Sequence, residues 1–372
     1  MKKIAAGVLV LCLLASTYSV WAPKSERVIV VFHNTPDASA ISPYGQVNQV
    51  FHIIPAVVAT IPESAVEALS RNNNVKYIEQ DVYSQFVPTL DSAIEPYDEI
   101  IPWGVDRIDA DLAWQYSTGK KVKVAVIDTG IDMDHPDLQA NIHGGINTIA
   151  PSLQYPDPDD FDDDHGHGTF VSGIIGAVDN NIGVIGVAPN AWLYGVKVLN
   201  SSGAGYISDI IEGIEWCIDK DMQVINMSFG GLYSEAIQDA CDSAWDHGCI
   251  LVSCLGNSGV SYPAGYSSVI GVAATDRDDI QWYEYGEELE LVAPGEGILS
   301  TVPGGGYAFM TGTSFGCPHV AGTAALVIAL HPLYTNAVVR VILQRTAEDL
   351  GAPGWDPYYG YGMVDALEAV LI

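Results

Sequence analysis

Two patterns of apolar positions divide this sequence. Between residues 27 and 85, short apolar stretches such as RVIVVF and VFHIIPAVVATIP are separated by polar residues, and ESAVEALSR has the spacing of an amphipathic helix. Strands that alternate with a helix are typical of a small α+β module with a mixed antiparallel sheet. Residues 86–98 contain two prolines and show no periodicity, which predicts a linker.

From residue 99 onward the apolar runs become continuous. VKVAVID, AWLYGVKVL, QVINMSF and CILVSCL are separated by helix-like segments such as ISDIIEGIEWCIDK. Continuous apolar runs indicate strands that are buried on both faces. The sequence therefore predicts an α/β domain over residues 99–372, with a mainly parallel sheet flanked by helices and a small α+β domain before it.

Polar residues follow several of these runs, where a parallel sheet binds its ligands. Asp128 ends the first run, Asn257 follows CILVSCL, His167 opens HGTFVSGIIGAV, and Ser314 leads into a long apolar helix. Taken singly, Asp128 is compatible with an Asx turn and Ser314 with a helix cap. Because all four are expected at one edge of the sheet, together they favour a catalytic site.

The N-terminus and the cysteines indicate the compartment. Residues 1–22 combine two lysines, an apolar run and small residues, which predicts a secretory signal peptide cleaved after Ser19 or Ala22. We therefore expect a soluble, secreted, extracellular product with no membrane attachment. The five later cysteines are scattered and odd in number, so they do not form a disulfide framework, although one bridge between Cys217 and Cys241 stays open.

The net charge of the chain limits the classes of molecule that we expect it to bind. The formal net charge is −31, and all of the excess lies after residue 87, where 9 basic residues face 40 acidic ones. Nucleic acid and anionic lipid need basic patches, so neither is an expected partner. A shortage of Lys and Arg suits a secreted protein that works in salt or calcium, and it equally suits one selected for solubility.

The motifs, taken in order, resemble those of the subtilisin-like serine proteases. VAVIDTGID, HGTFVSG, INMSFGG, GNSG, APG and GTSFGCPHVAGTAAL occur in that family's order from residue 99 to the end. Residues 27–85 resemble its inhibitory propeptide, which would make residues 86–98 the maturation region and 99–372 the catalytic domain. Phe315 stands where many members have Met. The resemblance implies a monomeric endopeptidase that processes its own precursor and acts on protein substrates.

The resemblance also implies a role for each residue at the strand ends. Ser314 would be the nucleophile, His167 the general base and then the acid, and Asp128 the carboxylate that orients the imidazole. A hydroxyl needs such a base because it is a poor nucleophile on its own. The Asn257 side chain and the Ser314 N–H would stabilise the oxyanion.

Two further sets of residues follow from the resemblance. Extended substrate would pair with two backbone segments and place an apolar side chain in a pocket. These substrate-binding positions are Ser201, Ser202, Gly203, Ala204, Gly205, Ser228, Phe229, Gly230, Cys254, Leu255 and Gly256. A structural Ca²⁺ would take oxygen ligands from a turn and two carboxylates. These positions are Glu99, Asp137, Val178, Asn180, Ile182 and Val184.

The stretch FDDDHGHGTF has more than one interpretation. A zinc hydrolase would use His165 and His167 with carboxylates, but the sequence has no HExxH motif. An exported calcium-binding module without catalysis is the other alternative. On the protease interpretation His167 is essential, His165 matters little, and Asp162, Asp163 and Asp164 form a solvated patch ahead of a helix.

Overall fold

The structure is a computed structural model, and it describes residues 25–87, 98–149, 151–256, 261–281 and 285–372. The predicted signal peptide, most of the predicted linker and Asn257 lie outside the described residues. The N-terminal module, residues 25–87, consists of β1 Ser25–Phe32, α1 Ala38–Ile41, β2 Gln46–Val50, β3 Ala56–Pro62, α2 Glu63–Ser70, β4 Val75–Gln80 and β5 Tyr83–Gln85. Its antiparallel sheet has the strand order β2-β3-β1-β4.

The main domain follows the linker. Its elements are α3 Trp103–Arg107, α4 Ala110–Ala113, β6 Lys123–Asp128, β7 Ile142–Asn147, α5 His167–Gly176, β8 Trp192–Lys197, β9 Ala204–Tyr206, α6 Ile207–Asp219, β10 Val224–Met227, α7 Glu235–Asp246, β11 Ile250–Cys254, β12 Ile270–Thr275, β13 Leu291–Pro294, β14 Ile298–Val302, β15 Gly306–Met310, α8 Gly316–Leu330, α9 Asn336–Thr346 and α10 Ala366–Leu371. A 3-10 turn over Thr313–Phe315 precedes α8.

A seven-stranded parallel sheet organises the main domain. Its order is β13-β12-β11-β10-β6-β8-β7, and each neighbouring pair of strands is parallel. Every residue of β10, β11 and β12 is buried, as expected for strands covered by helices on both faces. This confirms the α/β fold that the apolar runs predict.

Helix α8 runs through the core. The stretch Thr313–Leu330 is long and apolar enough to cross a membrane, and no other helix in the described part of the chain meets that test. However, 83% of this window is buried inside the protein. Its apolar character therefore reflects packing in the core of the main domain.

The N-terminal module packs its sheet against the main domain. In β1, Val28, Val30 and Phe32 belong to the module's own core, whereas the alternate residues Ile29 and Val31 belong to a core shared with α6 and α7. Alternation along a strand sends successive side chains to opposite faces. The sheet is therefore buried on both faces, and the second face is covered by the main domain.

Two carboxylates of the module also cap helices of the main domain. The Asp81 carboxylate accepts from the Ser208 N–H at 3.0 Å, in the first turn of α6, and from the Arg27 guanidinium. The Glu79 carboxylate accepts from the Ala236 N–H at 3.2 Å, in the first turn of α7. Carboxylates near helix N-termini satisfy free N–H groups and favour the helix dipole.

The cysteines are thiols throughout the described residues. Cys217, Cys241, Cys249, Cys254 and Cys317 are all buried and free. The bridge considered between Cys217 and Cys241 is therefore absent. Both thiols pack as small apolar groups in the core shared with the N-terminal module.

Candidate active site

Asp128 and His167 form a buried hydrogen-bonded pair at the carboxyl edge of the sheet. The Nδ1 atom of His167 lies 2.8 Å from Oδ1 and 2.9 Å from Oδ2 of Asp128. The two side chains are 1% and 0% exposed. Because the carboxylate faces Nδ1, that nitrogen carries the proton and the Nε2 nitrogen is left to act as an acceptor.

Glycines allow helix α5 to start so close to the end of β6. A Cβ on Gly168 would lie 2.1 Å from the carbonyl oxygen of Gly130, and Gly130 itself has a φ of +112°. Only glycine permits this approach and this backbone conformation without strain. The tight junction brings the first residue of α5, His167, over the last residue of β6, Asp128.

Ser314 reaches the same edge through the 3-10 turn. The aromatic ring of the next residue, Phe315, lies 5.8 Å from the His167 ring and 4.6 Å from the Phe170 ring. The Ser314 hydroxyl lies 3.8 Å from the thiol of Cys254, at the end of β11. Three elements that are distant in sequence, β6, α5 and the turn before α8, therefore meet at one site.

The interpretation of Asp163 as part of a solvated patch is wrong. Asp163 is 5% exposed, and its carboxylate accepts from the hydroxyls of Thr129 and Thr169 and from the N–H groups of His165 and Gly166. It thus ties the loop before α5 to the residue that follows β6. The sequence could not predict this role, because nothing in the run of three aspartates distinguishes the buried carboxylate from its exposed neighbours.

Asp164 also has a specific partner. Its Oδ1 atom lies 2.6 Å from the Nζ of Lys197, whose side chain is 1% exposed and also donates to the carbonyls of Thr129 and Leu199. A buried ammonium needs such a set of acceptors. Lys197, which lies at the end of β8, was not identified from the sequence as a residue near the site. It could have been noticed as the single Lys in the apolar run AWLYGVKVL.

His165 is half-buried beside the site. Its Nδ1 atom accepts from the His167 N–H at 3.3 Å, and the two rings lie 6.4 Å apart. Burial lowers the pKa of His165. His165 and His167 do not belong to any group of three or more His, Cys, Asp or Glu side chains that could hold a metal ion among the described residues.

The expected substrate-binding segments border a groove that the N-terminal module fills. Strand β5 pairs antiparallel with β9, with Ser84 opposite Gly205 and Gln85 opposite Ala204. The Phe86 N–H then donates to the carbonyl of Gly203 at 2.8 Å. Ser201 and Ser202 lie in the exposed turn before β9.

The opposite wall of the groove is formed by Ser228, Phe229 and Gly230. Ser228 is fully buried and accepts from the amide of Asn226, and the Phe229 ring lies 5.8 Å from the ring of Phe86. Cys254, Leu255 and Gly256 follow at the end of β11, with Cys254 and Leu255 buried. Of these three, Cys254 is in contact with Ser314, while Asn257 lies outside the described residues.

The residues expected to bind calcium come together at a turn. The Oε1 atom of Glu99 accepts from the N–H groups of Asn180 and Asn181, at 2.6 and 2.7 Å. The two oxygens of Asp137 accept from the Asn180 amide and from the Val184 N–H. Backbone bridges from Asp98 to Ile182 and from Ile100 to Val184 hold the segment around Glu99 against the turn. Val178 donates its N–H to the Asp137 carbonyl.

The charges at this turn fit a cation. Asp137 is fully buried, and burial raises the pKa of its carboxyl to about 7, with the nearby Glu99 acting in the same direction. No ion pair among the described residues includes either carboxylate. Two carboxylates, an amide and backbone carbonyls are a suitable donor set for a hard cation.

Comparison with known proteins decides the family. The model of the subtilase family matches residues 119–362. Subtilisin NAT of Bacillus subtilis subsp. natto is 43% identical over 336 residues, which cover 87% of this chain and 83% of that protein. The chain belongs to the subtilase family. It is a serine endopeptidase, as its motifs predict.

Other relatives are similar over nearly the same length. An alkaline protease of Alkalihalobacillus alcalophilus is 41% identical over 325 residues, which cover 85% of this subtilase and 79% of the relative. Alkaline elastase YaB of Bacillus sp. (strain YaB) is 38% identical over 357 residues, 92% of this chain and 88% of the relative. The similarity thus includes most of the N-terminal module as well as the main domain.

Proposed function

We propose that this subtilase hydrolyses peptide bonds with Ser314 as nucleophile, His167 as general base and acid, and Asp128 as the orienting carboxylate. The observation that carries the proposal is the buried contact of 2.8 Å between His167 and Asp128, which leaves Nε2 as the acceptor. His167 removes the proton from the Ser314 hydroxyl as it attacks the carbonyl carbon, and then gives that proton to the leaving amine. The Asp128 charge stabilises the imidazolium between these steps.

Two N–H donors are proposed for the oxyanion. The Ser314 N–H lies in the turn that leads into α8, so it is one of the N–H groups that a helix start leaves free. The side-chain amide of Asn257 is the second donor. Together they stabilise the negative oxygen of the tetrahedral intermediate, which typically accelerates such reactions by about 10²–10³ per donor.

Substrates are proposed to bind as an added strand. The pairing of β5 with β9 and the Phe86–Gly203 hydrogen bond provide the pattern, since an extended chain already occupies this groove. Backbone pairing reads the peptide rather than its side chains, so it favours a broad range of polypeptides. An apolar substrate side chain is expected next to Cys254, Leu255 and Gly256.

The N-terminal module is proposed to be an inhibitory propeptide. Its tail fills the groove, and its sheet buries one face against α6 and α7. A substrate cannot enter while Tyr83–Val87 lies there. We further propose that residues 1–22 are a signal peptide, that the monomeric precursor is secreted, and that it cleaves itself between about Gln85 and Asp98.

A structural calcium ion is proposed at the turn near Asp137. Glu99, Asp137, the Asn180 side chain and the carbonyls of Val178, Ile182 and Val184 would hold it. Its charge would balance two carboxylates that have no ion-pair partner among the residues described. The bound ion would stabilise the folded chain and has no proposed part in the reaction.

Active-site labelling tests the proposed function. A radiolabelled sulfonyl or phosphonyl fluoride should label Ser314 of the mature enzyme and stop its peptide hydrolysis. Ser314→Ala should take up no label and should leave the precursor uncut. Ser267→Ala, which replaces a serine far along the chain from the site, is the control and should be labelled at the normal rate.

A further inference from the structure

One contact in the site is not explained by the proposed mechanism. The Ser314 hydroxyl lies 3.8 Å from the Sγ atom of Cys254, a distance at which either atom can donate. Cys254 is 2% exposed and stands at the carboxyl end of β11, where the sheet opens onto the site. Burial raises the pKa of its thiol to about 11, so the sulfur carries its proton at neutral pH.

The imidazole of His167 shows the complementary feature. Its Nδ1 atom is bound to Asp128, but its Nε2 atom is buried and has no hydrogen-bond partner among the described residues. A buried nitrogen without a partner costs free energy, so a nearby hydroxyl would normally bind to it. In the structure, where Tyr83–Val87 occupies the groove, the Ser314 hydroxyl is instead in contact with the thiol.

We propose that Cys254 is a positioning residue that holds the Ser314 hydroxyl away from His167 until a scissile carbonyl reaches the site. The inference rests on the proposed function, because it concerns the step that activates Ser314. Attack then begins with rotation of the hydroxyl from the sulfur of Cys254 to the Nε2 atom of His167. No bond is formed or broken in that rotation, and the only change is of hydrogen-bond partner.

The hydrogen bond between the Cys254 thiol and the Ser314 hydroxyl is weak because of the chemistry of sulfur. A thiol is a weak donor and a weak acceptor, so little free energy is lost when the hydroxyl leaves it. A hydroxyl at residue 254 would bind Ser314 more strongly and at a shorter distance. A methyl group there would offer no hydrogen bond, and Ser314 would turn to the free Nε2 atom of His167.

Cys254→Ala and Cys254→Ser in the mature enzyme provide the test. We measure the second-order rate of inactivation by phenylmethanesulfonyl fluoride, together with kcat and KM on a peptide anilide across pH. The alanine variant should react about two- to fivefold faster and the serine variant about five- to tenfold slower, the range that one net hydrogen bond supports. The change should appear in kcat rather than KM.

The pH profile separates positioning from packing. When the Ser314 hydroxyl binds Nε2, it favours the neutral imidazole, so the acidic limb of the rate profile should move to lower pH in Cys254→Ala. A residue that only fills space would not move that limb. Cys249→Ser is the matched control, because Cys249 immediately precedes β11, at the end away from the site, and its thiol donates to the Met222 carbonyl at 3.1 Å.

The outcomes separate this inference from the proposed function. Equal rates and unchanged pH limbs in the wild type and both Cys254 variants would overturn the inference, while labelling at Ser314 would leave the proposed function intact. Continued hydrolysis by Ser314→Ala would instead defeat the proposed function. If Cys254→Ala does not fold, the nearly isosteric Cys254→Ser decides alone: slower labelling supports the inference, and equal or faster labelling overturns it.

Discussion

Replacing Asp81 should undock the N-terminal module from the main domain. Its carboxylate is 5% exposed and accepts from the Ser208 N–H at 3.0 Å, the Ser208 hydroxyl at 2.8 Å and the Arg27 guanidinium. Asp81→Ala removes the acceptor of the Ser208 N–H in the first turn of α6, worth about 1–2 kcal/mol, while Asp209 keeps its bond from the Tyr206 N–H. Arg27, which is 31% exposed, loses its ion pair but keeps its hydrogen bond to the Ser208 hydroxyl.

The expected loss of docking free energy is about 2 kcal/mol. It comes from the two hydrogen bonds that Asp81 accepts from Ser208, because Arg27 belongs to the N-terminal module and its ion pair with Asp81 does not cross the interface. A loss of that size raises the population of the undocked state roughly thirtyfold. The main domain keeps its own core, so it should remain folded.

Hydrogen exchange measures this opening directly. In the uncut Ser314→Ala precursor, the Phe86 amide donates to the Gly203 carbonyl and does not touch Asp81. Its protection should fall roughly thirtyfold in the Asp81→Ala variant, since exchange follows the population of the open state. Amides in α8 should keep their protection, which would show that the main domain has not unfolded.

Asp37→Ala is the matched control. Asp37 caps the short helix α1 by accepting from the Ala40 N–H at 3.1 Å, and no described contact joins it to the main domain. Its loss should leave the protection of Phe86 unchanged. Equal protection of Phe86 in the Asp81 and Asp37 variants would refute the docking argument.

Three further predictions follow from the site and the charge. Peroxide should inactivate Phe315→Met faster than the wild type, because Met oxidises readily and Phe does not; rapid wild-type loss that Cys317→Ser abolishes would show that the thiol decides instead. Without calcium, the melting temperature should fall as pH rises from about 4 to about 7. The reason is that the folded Asp137 carboxyl, with its pKa raised to about 7, binds its proton more tightly than the unfolded chain does. The affinity for calcium should rise over the same pH range. An unchanged melting temperature after calcium is chelated would contradict the proposed calcium site. Melting temperature should also rise with NaCl in calcium-saturated buffer, since salt screens a net charge of −31; a steady fall would contradict this.

The parallel sheet could be predicted because its signal is local. Fully apolar runs mark strands that are covered on both faces, and β6, β8, β10 and β11 lie within the runs that the sequence shows. The polar residue that ends such a run must lie at the sheet edge, whatever its partners are. Asp128 was therefore placed at the edge from its position alone, while His167, which opens a helix, owed its role to the family resemblance; the structure places the two in contact.

The contacts that the sequence did not reveal are made across long separations in the chain. Asp81 caps a helix that begins 126 positions later, and Asp164 pairs with Lys197. Local pattern treats every aspartate of an acidic run alike, so it could not distinguish buried Asp163 from exposed neighbours. Such partners depend on how elements pack in three dimensions.

The contact between Cys254 and Ser314 has the same origin. The sequence predicts that Cys254 is buried and lies near a substrate pocket, because CILVSCL is a core strand followed by glycine. It does not say which side chain the thiol touches. The register of β11 beside β10 and β12, together with the turn before α8, determines that contact.

Maturation of two histidine variants tests the central claim most directly. Precursors carrying His167→Ala or His165→Ala are expressed and followed by gel electrophoresis and by peptide hydrolysis. His167→Ala should stay uncut and lose turnover by about 10⁶, the factor by which subtilisin's own turnover falls without its histidine. His165→Ala should be processed and stay active. Normal maturation of His167→Ala, or a folded His165→Ala precursor that stays uncut, would contradict the account.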